Sequence, residues 1–158
     1  MQDQGKSSDS RRQWPVLKKN SIQNAVLNCS EVLIDRESDD ELNWETIQLS
    51  GTINVYSGTI NSPNSNTICS YSESDVINIY GGTISSFGKY DAIYNLGTLI
   101  IEEGNISTTS GRTIYNDSTG TVTIKGGNIS STSKIAIYTK GTVTINGGTI
   151  STTSRVAG

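Results

Sequence analysis

Apolar and polar residues alternate along short segments of this chain, and glycine pairs interrupt the alternation at regular distances. Val143 and Ile145, for example, alternate with threonines, the period of two that predicts a β-strand. The glycine pair at 147–148 predicts a tight corner, because glycine tolerates positive φ. The segment 149–151 then predicts a second short strand. The pattern therefore indicates short strands joined by corners.

This pattern recurs along most of the chain. Five segments match one another, and their starts lie 21 to 24 residues apart. Self-similarity at this period predicts a stacked repeat architecture. A weaker earlier unit runs from Val32 through Ile34 to Ile47. The five matching segments are 53–60, 77–84, 99–106, 122–129 and 143–150. A later isoleucine that predicts a third strand in each unit occurs at Ile68, Ile93, Ile114 and Ile137.

Three short strands and three corners fit within one repeat, so we predict an all-β fold. We expect a right-handed parallel β-helix, or β-solenoid, of about five to six coils of 21–24 residues, since parallel crossovers usually have this hand. Leucine-rich repeats have a similar length, but their Leu-x-x-Leu-x-Leu frame is absent. We expect Asn95 and Asn116, with Ser70 and Thr139 in register, to form a ladder at an inner corner. The interior column would include Ile60, Ile84, Ile106, Ile129 and Ile150.

The start of an open solenoid needs a cap, because its sheet edge and core are otherwise exposed. Ile22, Val26 and Cys29 recur at helical spacing, which predicts a short capping helix over roughly 21–30. We therefore expect residues 1–30 to form an N-terminal arm with this helix. Residues 31–158 would form the β-solenoid.

The other end of the predicted solenoid stops at residues 155–158, before the fifth coil reaches its third strand. No further cap is evident in the sequence. Two expectations remain open at this point. Either the chain is a fragment of a longer protein, or the open C-terminal coil pairs with a second copy in a homodimer.

The charges are distributed unevenly along the chain, although the net charge is only −3. Residues 1–20 carry five basic groups, residues 31–45 carry seven acids, and no acid follows Asp117. A rod built in chain order would be acidic near its start and basic at its end. Ile, Val, Thr, Ser, Asn and Gly dominate the composition, which favours strands and turns over helices.

The sequence shows no targeting or membrane segment. No N-terminal stretch has the charged, apolar and small-residue zones of a secretory signal, and no apolar run approaches the roughly 20 residues that cross a bilayer. We expect an intracellular protein without a membrane association, or a secreted or cell-surface protein if the chain is a fragment. Cys29 and Cys69 are too few for a disulfide framework or a structural zinc site.

Candidate catalytic chemistry is sparse. The sequence has no histidine, which removes serine–histidine triads and the usual zinc ligands. Enzymes on this fold rely on paired carboxylates, yet Glu102 with Glu103, and Glu73 with Asp75, form no such facing pair. The acidic run at 35–45 lacks the frame of a calcium loop. We expect no enzyme activity, no cofactor and no metal.

The candidate binding residues form two outward columns, one of tyrosines and one of basic residues. Tyr94, Tyr115 and Tyr138 follow the third-strand isoleucine in successive coils and are expected to stack outside the sheet. Such columns would bind phosphates and bases, an acidic protein surface, or sugars. The alternative is that the charges only solubilise loops and the tyrosines only cover the sheet. A basic row along one edge comprises Lys89, Arg112, Lys134 and Arg155. A further partner-facing candidate is the acidic cluster Asp39, Asp40 and Glu41.

The coils follow the pattern Gly-Thr-Val-Thr-Ile-x-Gly-Gly-Thr-Ile-Ser, with a later Ala-Ile-Tyr-Asn. This pattern resembles β-helix repeats of predicted surface proteins from gut Firmicutes, over roughly residues 51–158. The resemblance implies the β-helix fold and an adhesive or glycan-binding role. In size and architecture the chain is also similar to small β-helical anti-CRISPR proteins directed at Cas9-type nucleases.

Two functions are therefore expected. The first is a non-catalytic binding protein that acts by surface occupancy: a phage- or mobile-element-type inhibitor of a bacterial nucleic-acid enzyme, in the cytoplasm of the host. Its partner would be a protein or a protein–nucleic acid complex. The alternative is a glycan-binding or adhesive module of a bacterial surface protein.

Overall fold

The computed structural model describes residues 16–17, 22–29, 33–34, 45–132 and 135–153, with side-chain surroundings from residue 47 onwards. All regular secondary-structure elements in these ranges are β-strands, so the predicted all-β class is confirmed. No helix in the described ranges has the length and apolar character needed to cross a membrane. The strands are β1 (Val16–Leu17), β2 (Ile22–Cys29), β3 (Leu33–Ile34), β4 (Glu45–Leu49), β5 (Thr52–Ser62), β6 (Asn66–Ser70), β7 (Val76–Ile79), β8 (Thr83–Ser86), β9 (Ile93–Asn95), β10 (Thr98–Ile101), β11 (Asn105–Thr108), β12 (Ile114–Asn116), β13 (Thr121–Ile124), β14 (Asn128–Ser131), β15 (Ile137–Thr139), β16 (Thr142–Ile145) and β17 (Thr149–Thr152).

The strands stack in parallel on three faces and form a β-solenoid of about five turns. The first face contains the start of β5, then β7, β10, β13 and β16; the second contains the end of β5, then β8, β11, β14 and β17. The third face contains β4, β6, β9, β12 and β15. Because β5 runs through the corner between the first two faces, these faces belong to one ten-stranded sheet.

Apolar side chains from equivalent positions of successive coils form four interior columns, as predicted, and these are buried except in the last described coil. On the second face the column is Ile60, Ile84, Ile106, Ile129 and Ile150. The first face carries two columns. One is Ile53, Ile77, Leu99, Val122 and Val143, and the other is Val55, Ile79, Ile101, Ile124 and Ile145. On the third face the column is Ile47, Ile68, Ile93, Ile114 and Ile137. Burying one such side chain contributes about 1.5–3 kcal/mol relative to leaving it in water, so these columns are the main stabilising feature of the fold.

The predicted asparagine ladder lies at a buried inner corner. Nδ2 of Asn95 donates to Oδ1 of Asn116 over 2.7 Å, and both residues are fully buried. Nδ2 of Asn116 in turn donates to the Gly120 carbonyl at 2.8 Å and to the Thr139 hydroxyl at 3.1 Å. Each asparagine thus joins its own corner to the next coil, because a side-chain amide can both donate and accept.

The corners between the first and second faces require glycine, as the paired glycines predicted. Gly82 and Gly127 have φ values of 86° and 82°, which L side chains adopt only with strain. A Cβ on Gly127 would also lie 2.7 Å from the carbonyl oxygen of Gly104 in the preceding coil. The corner therefore depends on glycine both for its backbone conformation and for the close approach of two coils.

The prediction of a capping helix over 21–30 was wrong. This segment contains β2, which runs antiparallel to β5, with Ile22 opposite Ile60 and Cys29 opposite Ile53. The edge of β5 offers a row of backbone donors and acceptors, and pairing with it outweighs the weak helical spacing of the apolar residues. The register of this pairing shifts on both sides of Val26, as at a β-bulge.

The segment before the stack also departs from the repeat. Of the weaker early unit, Ile47 joins the third-face column. Ile34 instead lies in β3, which pairs in parallel with β1, and β1 runs antiparallel to β4. Antiparallel strands therefore cover both sheet edges at the start of the solenoid, β2 on the edge of β5 and β1 on the edge of β4.

Candidate binding surface

Tyrosines on the third face form a continuous outward column, as the repeat predicted. Tyr94, Tyr115 and Tyr138 lie in register on β9, β12 and β15. The centroids of Tyr94 and Tyr115 are 5.0 Å apart with the rings 10° from parallel, and those of Tyr115 and Tyr138 are 5.3 Å apart at 11°. Tyr71 adds a fourth ring, tilted by 41° against Tyr94. We call these four residues the tyrosine column.

The stacking determines which part of each ring is accessible. Neighbouring rings cover one another's faces within the column, and Tyr115, in its interior, is only 8% exposed. Ring edges and hydroxyl groups therefore face outward along most of its length. Tyr138, at the end nearest the last described coil, is 39% exposed, so its outer ring face is accessible.

Arg112 links the tyrosine column to a buried carboxylate. Its Nε donates to Oδ1 of Asp91 at 3.0 Å and its Nη2 donates to Oδ2 at 2.8 Å, while the Asp91 side chain is only 4% exposed. The guanidinium carbon also lies 4.1 Å from the ring centroid of Tyr115 and 5.4 Å from that of Tyr138. A planar guanidinium suits both the two-pronged ion pair and the ring contact, so Arg112 is held rigidly.

A second ion pair flanks the column at Asp117. Oδ1 of Asp117 accepts a 2.8 Å hydrogen bond from the backbone N–H of Ser118, and Oδ2 accepts one of 2.9 Å from the Tyr94 hydroxyl. Nζ of Lys140 lies 3.5 Å from Oδ1 and 5.4 Å from the centroid of the Tyr115 ring. Two side chains, from the preceding and the following coil, and one backbone N–H thus converge on one carboxylate.

These contacts shift three pKa values. The Ser118 N–H, and then the Tyr94 hydroxyl, lower the pKa of the Asp117 carboxyl. Burial, followed by the hydrogen bond to Asp117, raises the pKa of Tyr94 to about 12. The Tyr115 side chain, and then the charge of Asp117, raise the pKa of Lys140. At neutral pH the cluster therefore holds an ionised Asp117, a neutral Tyr94 and a charged Lys140.

Only some of the binding residues predicted from the sequence lie at the tyrosine column. The structure brings Arg112 to the tyrosine column, whereas Lys89 is exposed and its ammonium group lies 5.7 Å from the ring centroid of Tyr90. The remaining candidates lie outside the described residues, namely Lys134, Arg155, Asp39, Asp40 and Glu41. The basic row and the acidic cluster as wholes therefore stay predictions.

The acidic partners of Arg112 and Lys140 were not predicted from the sequence. Asp91 lies 21 residues before Arg112, and Asp117 lies 23 residues before Lys140. Both offsets equal one coil, so each pair consists of equivalent positions in adjacent coils. Opposite charges at a one-coil offset are the signal that would have found them.

The same one-coil arrangement occurs on another corner of the solenoid. Nζ of Lys125 lies 2.6 Å from Oε1 of Glu102, 23 residues earlier. On that corner the two preceding coils carry Tyr56 and Tyr80, whose rings stack at 5.0 Å and 8° and are both exposed. This second aromatic pair is smaller than the tyrosine column, and its ion pair is largely exposed to water.

Several carboxylates of the described residues have structural partners. Asp75, for example, accepts backbone N–H groups from Gly51, Tyr71 and Ser72 at 2.9, 3.2 and 3.1 Å. Within the described ranges, no three His, Cys, Asp or Glu side chains lie close enough together to hold a metal ion. The arrangement on the third face is suited to binding through ring edges, hydroxyls and fixed charges. Comparison with protein-family models, curated proteins and solved structures found no match for this chain in any of the three.

Proposed function

We propose that this chain is a non-catalytic binding protein that acts by occupying the surface of a macromolecular partner. The observation that carries the proposal is the tyrosine column, which Arg112 and Asp117 hold in place on the outside of the third face. Tyrosine and arginine are enriched at the energetic centres of protein interfaces. Side chains that are already fixed lose little conformational entropy on binding, so the column is a suitable docking surface.

The stacking favours a protein partner over sugars or bases. Sugar rings and nucleobases bind aromatic side chains across the ring face. Inside the column those faces are covered by neighbouring rings, and Tyr115 is almost fully buried, so only the end rings Tyr71 and Tyr138 are substantially exposed. Ring edges, hydroxyls and flanking charges suit hydrogen bonds and packing against a protein surface.

For the partner class we propose a bacterial nucleic-acid enzyme, with a Cas9-type nuclease as the first candidate. The support is the charge asymmetry of the sequence, since acids concentrate in residues 31–45 and none follows Asp117. A protein with one acidic and one basic part can contact both the basic channel of such an enzyme and the phosphates of its nucleic acid. The similarity in size and architecture to β-helical anti-CRISPR proteins adds to this support. Inhibition would then take place in the cytoplasm of the bacterial host.

The test is a DNA-cleavage assay with a panel of guide-loaded Cas9-type nucleases and increasing amounts of the chain. We expect stoichiometric inhibition of at least one nuclease. The double variant Lys134→Glu with Arg155→Glu is expected to weaken inhibition about 10-fold, equivalent to roughly 1.4 kcal/mol, and neutralising Asp39, Asp40 and Glu41 should also weaken it. Higher salt should reduce binding. The control is Lys125→Glu, which removes a positive charge that is paired with Glu102 and should inhibit like the parent.

If no nuclease in the panel is bound, the Cas9-type assignment fails. If one is bound but both sets of charge variants inhibit as strongly as the parent, the electrostatic part of the proposal fails.

The alternative is a glycan-binding or adhesive module, supported by the resemblance to Firmicutes surface repeats and by the exposed Tyr56–Tyr80 pair. A glycan array tests it directly. Hits that are lost on replacing Tyr94 and Tyr115, or Tyr56 and Tyr80, would favour this function over inhibition. An array without hits would remove it.

A further inference from the structure

The last described coil leaves core positions accessible at one end of the solenoid. Ile145 is 54% exposed and Ile150 is 38% exposed, whereas Ile124 and Ile129, their column neighbours in the preceding coil, are fully buried. Among the described strands, β15, β16 and β17 are the outermost of their faces on this side. They present an apolar end face with three sheet edges.

This end face lacks the features that keep natural sheet edges apart. Exposed edge strands usually carry lysine, proline or inward-pointing charges that prevent pairing with another chain. Residues 141–153 contain neither a charged residue nor a proline. Strands β16 and β17 of two copies can therefore approach each other without repulsion between like charges, and Lys140, which follows β15, is paired with Asp117 of the preceding coil.

The backbone direction shows which groups point out of the stack. The N–H groups of Thr142 and Asn146 donate to carbonyls of the preceding coil at 3.0 and 2.8 Å. Since successive residues of a strand direct their N–H and C=O groups to opposite sides, those of Val143 and Ile145 point away from the stack. Thr149 and Thr153 also donate to the preceding coil, at 2.9 and 3.0 Å, so in β17 the outward groups belong to the residues between them, at 150 and 152.

We propose that this end face pairs with the same face of a second copy of the chain about a two-fold axis perpendicular to the solenoid. Such an axis sets strands of the two copies antiparallel. Strand β16 then pairs with β17 of the second copy, both being four residues long. Ile145 faces Ile150 of the second copy and Val143 faces its Thr152, as hydrogen-bonded pairs whose outward backbone groups match.

The same register also sets interior side chains against interior ones and exterior side chains against exterior ones. The column positions Ile145 and Ile150, both now exposed, cover each other, so the apolar interior continues from one copy into the next. Thr144 and Ser151 face each other on the outside. A shift by one residue would set interior positions against exterior ones, so the pattern selects this register.

On the third face, β15 pairs with itself across the axis. Lys140 donates its N–H to Asn116 of the preceding coil, and the Ala136 carbonyl accepts from Ile114, so the backbone groups at 137 and 139 point outward. Tyr138 then lies on the axis in a pair without direct hydrogen bonds, where Cα atoms are about 4.5 Å apart. Its exposed ring face meets the same ring of the second copy and extends the tyrosine column through the dimer.

The first test is the molar mass of the full 158-residue chain by light scattering over a range of concentrations. We expect the mass to double as concentration rises and Ile145→Lys to restore the monomer, because the lysine places a charge in the paired edge. The control, Thr123→Lys, lies on the outer surface of the preceding coil and should dimerise like the parent. A parent that stays monomeric up to about 0.1 mM, a concentration at which even a micromolar complex forms, would overturn the proposal.

The second test measures the register through a disulfide. In Tyr138→Cys the two new thiols face each other across the axis, with Cα atoms about 4.5 Å apart, inside the range of roughly 4.4–6.8 Å that a disulfide needs. Mild oxidation should yield a covalent dimer. Tyr115→Cys, one coil further in, and the parent with Cys29 and Cys69 should give only background.

A parent dimer that Tyr138→Cys does not cross-link, or that survives Ile145→Lys with an unchanged circular dichroism spectrum, would rule out this interface. These outcomes do not depend on inhibition of a nuclease. Failure of the dimer and failure of the proposed function are therefore separately visible.

Discussion

The hydroxyl of Tyr94 donates a 2.9 Å hydrogen bond to Oδ2 of Asp117, which lies 23 residues later and thus in the next coil. Nothing in the local sequence connects the two residues, but stacking brings them together. The bond fixes the orientation of one ring in the tyrosine column and places a carboxylate beside it. Two predictions about pH follow from this contact.

Stability should decline in acid in a manner that depends on Asp117. Its pKa is lowered by the Ser118 N–H first and then by Tyr94, so its contribution is present above its unfolded pKa of about 4 and is lost as pH falls through the lower folded value. We expect Asp117→Asn to lose less stability between pH 7 and pH 3 than the parent does. Urea unfolding at both pH values measures the effect, with Glu73→Gln, an exposed carboxyl, as the control. An equal loss in the parent and in Asp117→Asn would contradict the prediction.

Tyr94 should titrate later than an ordinary tyrosine. Burial first, and then Asp117, raise its pKa from 10.0 to about 12. Ultraviolet absorbance of the parent minus that of Tyr94→Phe isolates this ring among the seven tyrosines. Because the folded pKa is the higher one, the contribution of Tyr94 to stability is present below about pH 10 and is lost as pH rises towards 12. In Asp117→Asn the midpoint should fall but stay above 10, since burial remains; a parent midpoint at 10 would refute the assignment.

Arg112→Ala should destabilise the fold by about 1–3 kcal/mol, because it removes two charge-assisted hydrogen bonds from a buried carboxylate. Arg112→Lys should recover only part of the loss, since an ammonium group cannot form the two-pronged contact. Chemical denaturation measures both changes. Lys125→Ala, which breaks the exposed pair with Glu102, is the matched control and should cost less than about 1 kcal/mol. Equal effects of Arg112→Ala and Lys125→Ala would show that burial of Asp91 is unimportant.

Ile101 and Ile100 test the two sides of one strand. Ile101 is fully buried in the interior, whereas Ile100 lies on the outer side of β10 and is half-buried. Ile101→Ala should lower the free energy of unfolding by about 2–5 kcal/mol through lost burial and a residual cavity. Ile100→Ala should cost less than about 1 kcal/mol. Similar losses at the two positions would contradict the assignment of inside and outside.

Gly127 and Gly88 separate crowding from backbone strain. Both have positive φ, 82° and 79°, but a Cβ on Gly127 would lie 2.7 Å from the Gly104 carbonyl, while one on Gly88 would meet nothing within 4 Å. Gly88→Ala should cost about 1–2 kcal/mol from conformation alone. Gly127→Ala should cost clearly more, because two coils must also move apart. Thermal unfolding of both variants provides the measurement. A larger loss of stability in Gly88→Ala than in Gly127→Ala would show that the close approach of the coils adds no cost at Gly127.

The repeat made most of the solenoid predictable from the sequence. Alternation at Val143 and Ile145 identified a strand, and the recurrence of that segment every 21 to 24 residues identified the stack. These signals are reliable because each coil repeats the same local choices, and every coil rests on a near copy of itself. Even the register of Asn95 with Asn116, and of Tyr94 with Tyr115, followed from alignment alone.

The cap could not be found in this way. Residues 22–29 have no copy elsewhere in the chain, so only their local spacing was available, and it favoured a helix. Their conformation is set by the edge of β5, which lies more than twenty residues later in the chain. Such pairing depends on a partner that local propensity does not contain.

By itself the sequence determined the period, the apolar columns and the glycine corners, because these depend on residue type at positions one coil apart. Tertiary structure alone decided that Arg112 turns to Asp91 and that the tyrosine faces are covered by one another. Those outcomes depend on side-chain directions and on distances between coils. The physical reason is that strand pairing determines which residues become neighbours. Which of these neighbours a charged group or a ring contacts depends on the three-dimensional directions of the side chains.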